Sequence, residues 1–355
     1  MPSNRRTAIK IISPGTAEVR HDVPLPRLRD DYIIAETRAF ALNPTDVNHI
    51  DRVGAPGTIV GCDWSGIVKK VGKNVTRFKP GDEVYGACHG GNNVEPDDGA
   101  FAGIITSKEH LTFHKPEHLS FEEAASLTVG LATVGQALYY TMHLPLPTML
   151  YETLADATML VYGGSSATGT IAIQAAKLSG CRVYTTCSSS NFDLVRSRGA
   201  DYCFDYNDPD CLQELMQHAG PSITHILDCL GTAETATFCS EALSPNGGRY
   251  HSIKAPVPEI FKKLRPEENA IATTAIAYSM IGEAYEFVGG LSFPADPEEE
   301  RFAKEWVLMA EGFLLCRAIQ PHPIDQRQGG IQGVLEGLNG LRGQGPRGQK
   351  IVYSR

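Results

Sequence analysis

The sequence predicts an α/β chain in two parts, one β-rich and one a doubly wound parallel sheet. Three observations carry this reading. The run LVYGGSSATGTIAIQAAKLSG, from Leu160 to Gly180, has the pattern of a buried strand, a glycine-containing turn and an amphipathic helix. Strand and helix patterns then alternate as far as Ile253. The first 125 residues instead carry short strand-like runs separated by Gly, Pro and Asp.

In chain order, AIKII, YIIAETRAFAL and SGIVKKVG read as strands, with tight turns at Pro80-Gly81-Asp82 and Asp98-Gly99. From Phe121 the pattern FEEAASLTVGLATVGQALYY is helical, with Ser120 as N-cap and Glu122 and Glu123 in the first turn. HLPLPTMLYETLAD is a proline-bearing connector. The strands TMLVYG, RVYTTC, ADYCFDY, HILDCL and GRYHSI follow, with helices between them. EEERFAKEWVLMAEGFLL is a helix and GGIQGVLEGLNGL is helix-like. LNGLRGQGPRGQK is a loop, because the strand QKIVYS follows it and returns the chain to its first part. The domains read this way are 1–125 with 305–355, and 126–304.

The 355 residues suffice for two domains of roughly 150 residues each. A net charge of −9 argues against a nucleic-acid binder, whose balance is usually basic. No apolar run approaches the roughly 20 residues of a membrane helix. The opening MPSNRRTAIKII shows no secretory signal and the closing KIVYSR no peroxisomal address, so a cytoplasmic location is expected. The nine cysteines form no C-x-x-C pair and read as reduced, mostly buried thiols.

The Leu160–Gly180 run suits a dinucleotide pyrophosphate held at a helix N-terminus. Gly163 and Gly164 allow the tight turn, Ser165, Ser166 and Thr168 add hydroxyl donors, and Gly169 lets the helix pack closely. The strand RVYTTCSSS ends where such folds inspect the adenosine ribose. An NAD site usually places Asp or Glu there; this chain has Cys187, Ser188, Ser189, Ser190 and Asn191. With no carboxylate to repel a 2′-phosphate and several small donors to bind one, the expected cofactor is NADPH.

The segments ALNPTDVNHID, IVGCDWSGIVKKVGKNVTRFKPGDEVYG, the Gly163 turn and the closing GQKIV together resemble the medium-chain dehydrogenase/reductase superfamily over nearly the whole length. GGSSATGT and CSSSNFDLVRSRGADYCFDY are most similar to the fungal trans-acting enoyl reductases that serve highly reducing polyketide synthases. The resemblance implies a GroES-like β-rich catalytic domain joined to a doubly wound Rossmann cofactor domain. It also implies zinc independence. Zinc members carry Gly-His-Glu where this chain has Gly61-Cys62-Asp63, and a Cys in the segment that here reads Asn43-Pro44-Thr45-Asp46.

By the same resemblance Thr45, Asp46, Val47 and Asn48 contact the cofactor near its nicotinamide. Relatives often carry Lys at Asn48, which is also assigned a catalytic role, and His49 is the candidate for a replacement cation; a plain Asn/Asp turn is the alternative. Ser165, Ser166, Ala167 and Thr168 cradle the pyrophosphate, and Ser188, Ser189, Ser190 and Asn191 meet the 2′-phosphate. Tyr206 lies by the adenosine, or is a core tyrosine. Ile253, Lys254, Ile351 and Val352 complete the cofactor set. Thr133 is the catalytic hydroxyl for the thioester carbonyl. The substrate tunnel is assigned to Val134, Gly135, Gln136, Ala137, Leu138, Tyr139, Tyr140 and Thr141, and to Ala277, Tyr278, Ser279, Met280 and Ile281. Small residues for close helix packing are the alternative for both stretches.

The implied function is NADPH-dependent reduction of the α,β-double bond of thioesters borne on an acyl carrier protein, by a monomer and without a metal. Lys262-Lys263-Leu264-Arg265, or Arg342, Arg347 and Lys350, is the expected basic patch for an acidic carrier. The rivals are a quinone or free-enone oxidoreductase and a non-catalytic NADPH-binding partner of a synthase.

Overall fold

The computed structural model describes residues 5–147, 157–343, 345 and 347–355. Most of the HLPLPTMLYETLAD connector and part of the glycine-rich loop before the last strand therefore lie outside the described residues. The chain divides into two compact units. The first runs to Val129 and resumes at Tyr278–Leu315 and Pro321–Arg355; the second is Gly130–Ala277 with Cys316–Gln320. The crossing expected at 304/305 falls inside one continuous helix, Pro297–Leu315, whereas the chain re-enters the first unit at Tyr278.

The first unit opens with an antiparallel pair, β1 (Arg5–Ser13) and β2 (Thr16–Pro24). β2 had no sequence signal, because TAEVRHDVP is polar and mostly exposed. β3 (Tyr32–Ala41), β4 (Asp63–Val71), β5 (Glu83–Ala87), β6 (Ile104–Lys108) and β7 (Thr112–His114) follow. Ile9, Ile11, Ile33, Phe40, Trp64 and Phe101 are buried in the core they enclose. β3 and β4 run so close that a Cβ on Gly66 would stand 2.1 Å from the Glu36 carbonyl oxygen, which accounts for that glycine in the long motif.

The helix expected from Phe121 forms in two pieces, Phe121–Ala125 and Thr128–Gly135, followed by a π-turn at Gln136–Thr141. Its start is as read: the Glu123 N–H donates to Ser120 Oγ at 3.1 Å, and the Ser120 N–H donates to Glu123 Oε2 at 2.9 Å. The break is held by side chains. Lys350 Nζ donates to the Ser126 carbonyl at 3.1 Å, and the Val129 N–H donates to Asp63 Oδ1 at 2.8 Å. Backbone groups left unpaired by the broken helix thus find partners.

The second unit is a parallel sheet of β8 (Thr158–Tyr162), β9 (Arg182–Cys187), β10 (Tyr202–Asp205), β11 (Ile223–Asp228), β12 (Gly248–Ser252) and β13 (Ala270–Thr273). Its order is β10-β9-β8-β11-β12-β13, with the order reversing beside β8. That is the doubly wound dinucleotide fold, whose ligands bind beyond the carboxyl ends of the strands at the reversal. Five of the strands match the sequence reading; β13 is an edge strand of AIAT, too short to signal itself.

The chain then adds to the first unit a hairpin, β14 (Tyr285–Phe287) and β15 (Leu291–Phe293), the helix Pro297–Leu315, β16 (Ile324–Arg327), the helix Gly330–Leu341 and β17 (Lys350–Ser354). β17 pairs antiparallel with β3, Val352 opposite Ala41, in a sheet ordered β16-β17-β3-β4-β5-β7, with β6 also on β3. The closing strand therefore returns to the first part.

Candidate functional site: a dinucleotide turn and a buried tyrosine cluster

In the second unit β8 ends at Tyr162 and the chain turns through Gly163 (φ +80°) into the helix Ala167–Leu178. The N–H groups of Gly163 and Gly164 donate to the Thr186 carbonyl at 3.1 and 3.0 Å, fastening the turn to β9. Ser166 is the N-cap, its Oγ accepting the Gly169 N–H at 3.0 Å. A Cβ on Gly164 would stand 1.9 Å from Thr185 Oγ1, and one on Gly169 would stand 2.4 Å from the Gly163 carbonyl oxygen. The turn is thus closed to any larger residue from within. Ser165, Ser166, Ala167 and Thr168 are half-buried, between buried neighbours on either side. A helix start with outward N–H groups and flanking hydroxyls fits a dinucleotide pyrophosphate.

Beyond β9, Ser188–Asn191 form a turn leading into the helix Phe192–Ser197. Ser189 and Ser190 are exposed, and Asn191 Nδ2 donates to Ser165 Oγ at 3.4 Å, tying this turn to the first. Tyr206 is exposed and its hydroxyl lies 2.8 Å from Ser188 Oγ, so it is not a core tyrosine. The expectation that no carboxylate stands here is corrected. β10 brings Asp205 alongside, and Asp205 Oδ2 accepts the Ser189 N–H at 3.0 Å. The Asn207 and Ser189 donors hold this carboxyl down at about 2, so it is ionised at neutral pH.

Asp228, at the end of β11, carries no signal in the sequence beyond its strand HILDCL. It is fully buried and accepts the N–H groups of Leu230 and Gly231 and the hydroxyls of Thr235 and Tyr250, at 2.5 to 3.0 Å. It thereby shapes the strand-end loop. The half-buried Ile253 donates its N–H to the Asp228 carbonyl at 3.2 Å; Lys254 is exposed.

In the first unit Pro44–Asn48 is a single helical turn. The Asn43 N–H donates to Asp46 Oδ2 at 2.7 Å, and Asn43 Nδ2 donates to Asp63 Oδ2 at 3.0 Å. Asp46 is buried and its carboxyl is pushed up to about 7 by the loss of water. Val47 is half-buried and Asn48 exposed. Ile351 and Val352 are buried in β17, the Ile351 carbonyl accepting the Leu42 N–H at 3.0 Å, so they brace the strand that leads into this turn.

Two residues from separate expectations meet here: the Thr45 and Tyr278 hydroxyls lie 3.2 Å apart. The Tyr278 hydroxyl is also 3.2 Å from Cys62 Sγ, and its ring stacks on His89 with centroids 3.8 Å apart. His49 does not supply the missing cation. It is buried, burial pushes it down to about 4, and its Nδ1 donates to the Thr45 carbonyl at 2.8 Å as a neutral imidazole. Cys62 and His89 gave no signal as partners of Tyr278, since they lie far from it in sequence.

Thr133 is half-buried on the helix Thr128–Gly135. Val134, Gly135, Gln136, Ala137, Leu138 and Tyr139 are buried, whereas Tyr140 and Thr141 are half-buried. The Tyr139 hydroxyl donates to the Ala175 carbonyl at 3.0 Å, and Gln136 Nε2 donates to the Ile276 carbonyl at 3.3 Å. Ala277–Ile281 form a 3₁₀ turn in which Ala277, Tyr278, Ser279 and Ile281 are half-buried. Met280 is buried, its carbonyl accepting from His110 Nε2 at 2.9 Å.

In the two expected basic patches Lys263 and Arg347 are exposed, whereas the other cations are engaged within the protein. Lys262 Nζ donates to the Glu267 and Ala270 carbonyls, and the Arg265 guanidinium to those of Ser240, Leu243 and Ser244. Arg342 pairs with Asp51 at 2.7 Å. Lys350 is buried against Asp63 at 2.6 Å.

Comparison with known proteins places these features. Residues 29–117 match the alcohol dehydrogenase GroES-like domain and residues 167–276 the zinc-binding dehydrogenase family. The donor set does not fit the zinc of that description. Asp63 is taken by Lys350, Asn43 and the Val129 N–H, and Cys62 by Tyr278. Among the described residues no group of three His, Cys, Asp or Glu side chains is placed to hold a metal ion. The trans-enoyl reductase resD of Aspergillus sclerotiorum is 41% identical over 98% of this chain and 99% of its own. The trans-enoyl reductase ACTTS2 of Alternaria alternata is 36% identical over 98% of each. In fold, the CurK enoyl reductase superposes with a TM-score of 0.75 at 19% identity over 98% of this chain and 99% of its own. The Coxiella burnetii quinone oxidoreductase does so with 0.73 at 20% over 99% of each. The chain is therefore an oxidoreductase of the medium-chain dehydrogenase/reductase superfamily, with a nicotinamide-cofactor domain, and belongs within it to the trans-enoyl reductase family.

Proposed function

We propose that this protein is a trans-acting enoyl reductase that uses NADPH to reduce the α,β-double bond of polyketide thioesters tethered to an acyl carrier protein. The observation that carries the reading is its similarity, end to end, to proteins named trans-enoyl reductases. The choice of NADPH is supported by the exposed hydroxyls of Ser189 and Ser190 and the Ser188–Tyr206 pair at the end of β9.

When bound, the nicotinamide supplies a hydride for the β-carbon of the substrate. The protein's own part is to position and to stabilise. The Gly163–Thr168 turn holds the pyrophosphate, and the Ser188–Asn191 turn holds the ribose end. Thr45, Asp46, Val47, Asn48, Ile253, Lys254, Ile351 and Val352 are the residues assigned to the nicotinamide side, and the Thr45 hydroxyl is 3.2 Å from that of Tyr278. As charge moves to the thioester oxygen, the Thr133 hydroxyl donates a hydrogen bond to it. Water supplies the proton to the α-carbon. Val134–Thr141 and Ala277–Ile281 take the acyl chain, and the enzyme acts as a monomer on the carrier's pantetheine arm.

The test is NADPH oxidation by the purified protein with crotonyl pantetheine and crotonyl coenzyme A, run beside a panel of quinones. Thioester turnover with little quinone turnover is expected. Quinone turnover alone would move the function to small soluble acceptors, and NADPH binding without turnover of thioester or carrier-bound substrate would make the protein a non-catalytic partner.

A further inference from the structure

We infer that Asp205 sets the discrimination between 2′-phosphorylated and unphosphorylated cofactor, because its carboxylate occupies the Ser189 donor that a 2′-phosphate would take. The inference rests on the cofactor reading above and deepens it.

β9 and β10 are parallel neighbours with Cys187 opposite Asp205, so the residues beyond each strand end stand side by side. The carboxyl end of the second strand is where this fold reads the ribose 2′ group. There, Asp205 Oδ2 accepts the Ser189 N–H at 3.0 Å, while Oδ1 accepts the Asn207 N–H at 2.9 Å and Asn207 Nδ2 at 2.7 Å. Both oxygens are thus turned inward, onto the protein. An NAD-selective carboxylate instead offers its oxygens to the ribose hydroxyls. Asp205 orders the serine turn and at the same time sets a fixed negative charge beside it.

A 2′-phosphate carries about −1.5 to −2 charges at neutral pH. It meets Asp205 both as a like charge and as a competitor for Ser189. Arg196, on the following helix, is a cation near this turn; it lies over the Phe192 ring and against Cys203, and 3.9 Å from Asp193. The balance between that guanidinium and Asp205 makes the preference for the phosphorylated cofactor softer than the serine cluster alone implies.

The test is calorimetric titration of the full chain and of Asp205→Asn with adenosine 2′,5′-bisphosphate and with adenosine 5′-monophosphate. The amide keeps one acceptor oxygen for the Ser189 N–H and removes the charge, and its NH2 gives up the two Asn207 contacts. The expected result is bisphosphate binding tighter by about threefold to tenfold, with monophosphate binding unchanged. Because the effect is a repulsion between partly exposed charges, the gain shrinks as salt is raised from about 0.05 M to about 0.5 M. Unchanged monophosphate binding also reports an intact turn. Bisphosphate affinity that is unchanged or reduced overturns the proposal, as do equal shifts for the two nucleotides, which mark a structural role only. Asn207→Ala, which loosens the same turn but keeps the charge, should show no selective gain; a gain there would overturn it as well. A native protein that binds neither nucleotide overturns both this proposal and the cofactor reading. One that reduces thioesters with NADPH while Asp205→Asn gains nothing overturns this proposal alone.

Discussion

Thr133 and Asp46 show what single side chains contribute. Thr133 is the residue proposed above to donate a hydrogen bond to the charge that develops on the thioester. Thr133→Val keeps the shape and removes the donor. Turnover should fall by about tenfold to a hundredfold with NADPH affinity unchanged; full turnover would end that role. Asp46 is a carboxyl moved out of water. Its value of about 7 in the folded chain lies above the ordinary value of about 3.9. A raised value means that the folded state favours the proton. The stabilisation is therefore present in acid and is lost as pH climbs from about 4 through 7. Asp46→Asn keeps an acceptor for the Asn43 N–H and has no charge to bury. Between pH 5 and 8 the stability difference should move in the variant's favour by about 2–3 kcal/mol, read by urea unfolding at each pH. Parallel pH dependence in the two proteins would exclude it. At this scale the glycines and serines of the two turns were legible, because a dinucleotide turn demands them within a few residues. The Tyr278–Cys62 contact and the Asp205–Ser189 contact were not, because each joins positions that only the tertiary fold brings together.

Among elements, β17 and β4 are coupled by a buried pair. Lys350 Nζ reaches Asp63 Oδ2 at 2.6 Å and the Ser126 carbonyl at 3.1 Å, while Asn43 and the Val129 N–H take the rest of the carboxylate. One cation thus joins the last strand, the strand of the long motif and the break in the Phe121 helix. Lys350→Met leaves Asp63 buried without its counter-charge and should cost about 3–5 kcal/mol by denaturant unfolding, whereas the double change Asp63→Asn with Lys350→Met should cost less. Equal losses would show that the pair is not coupled. Periodicity revealed the long strands and helices, but it could not reveal this break. The helical pattern from Phe121 runs on without a proline or a capping signal. The backbone groups at the interruption are bound by Lys350 and Asp63, and neither lies in the helix itself.

For the whole molecule the doubly wound parallel sheet was the most legible property; the order of its strands was not read. Alternating strand and helix patterns with a glycine turn at the first strand dictate a parallel sheet, and the structure puts the reversal of its order beside β8. The edges were less legible, since β2, β13 and β16 are short or polar and carry little apolar patterning. A ligand that binds only the folded chain stabilises it by mass action. NADPH at about a hundred times its dissociation constant should add about 2.7 kcal/mol, and NADH at the same concentration less. A thermal scan checks this: the midpoint should rise with NADPH more than with NADH, and equal shifts would remove the preference.

The position of β17 has a consequence for synthesis. The strand that pairs with β3 and carries Lys350 is made only after the entire second unit. During translation β3 and β4 must wait, with the Asp63 carboxylate lacking its partner, while the cofactor unit has all of its sheet available to fold. The nascent chain therefore has a built-in order. The second unit's sheet is complete before β17 is made, and β3 keeps an open acceptor edge until β17 has emerged. Chaperones that shield strand edges should accordingly hold the nascent chain at β3 and release it once β17 pairs there.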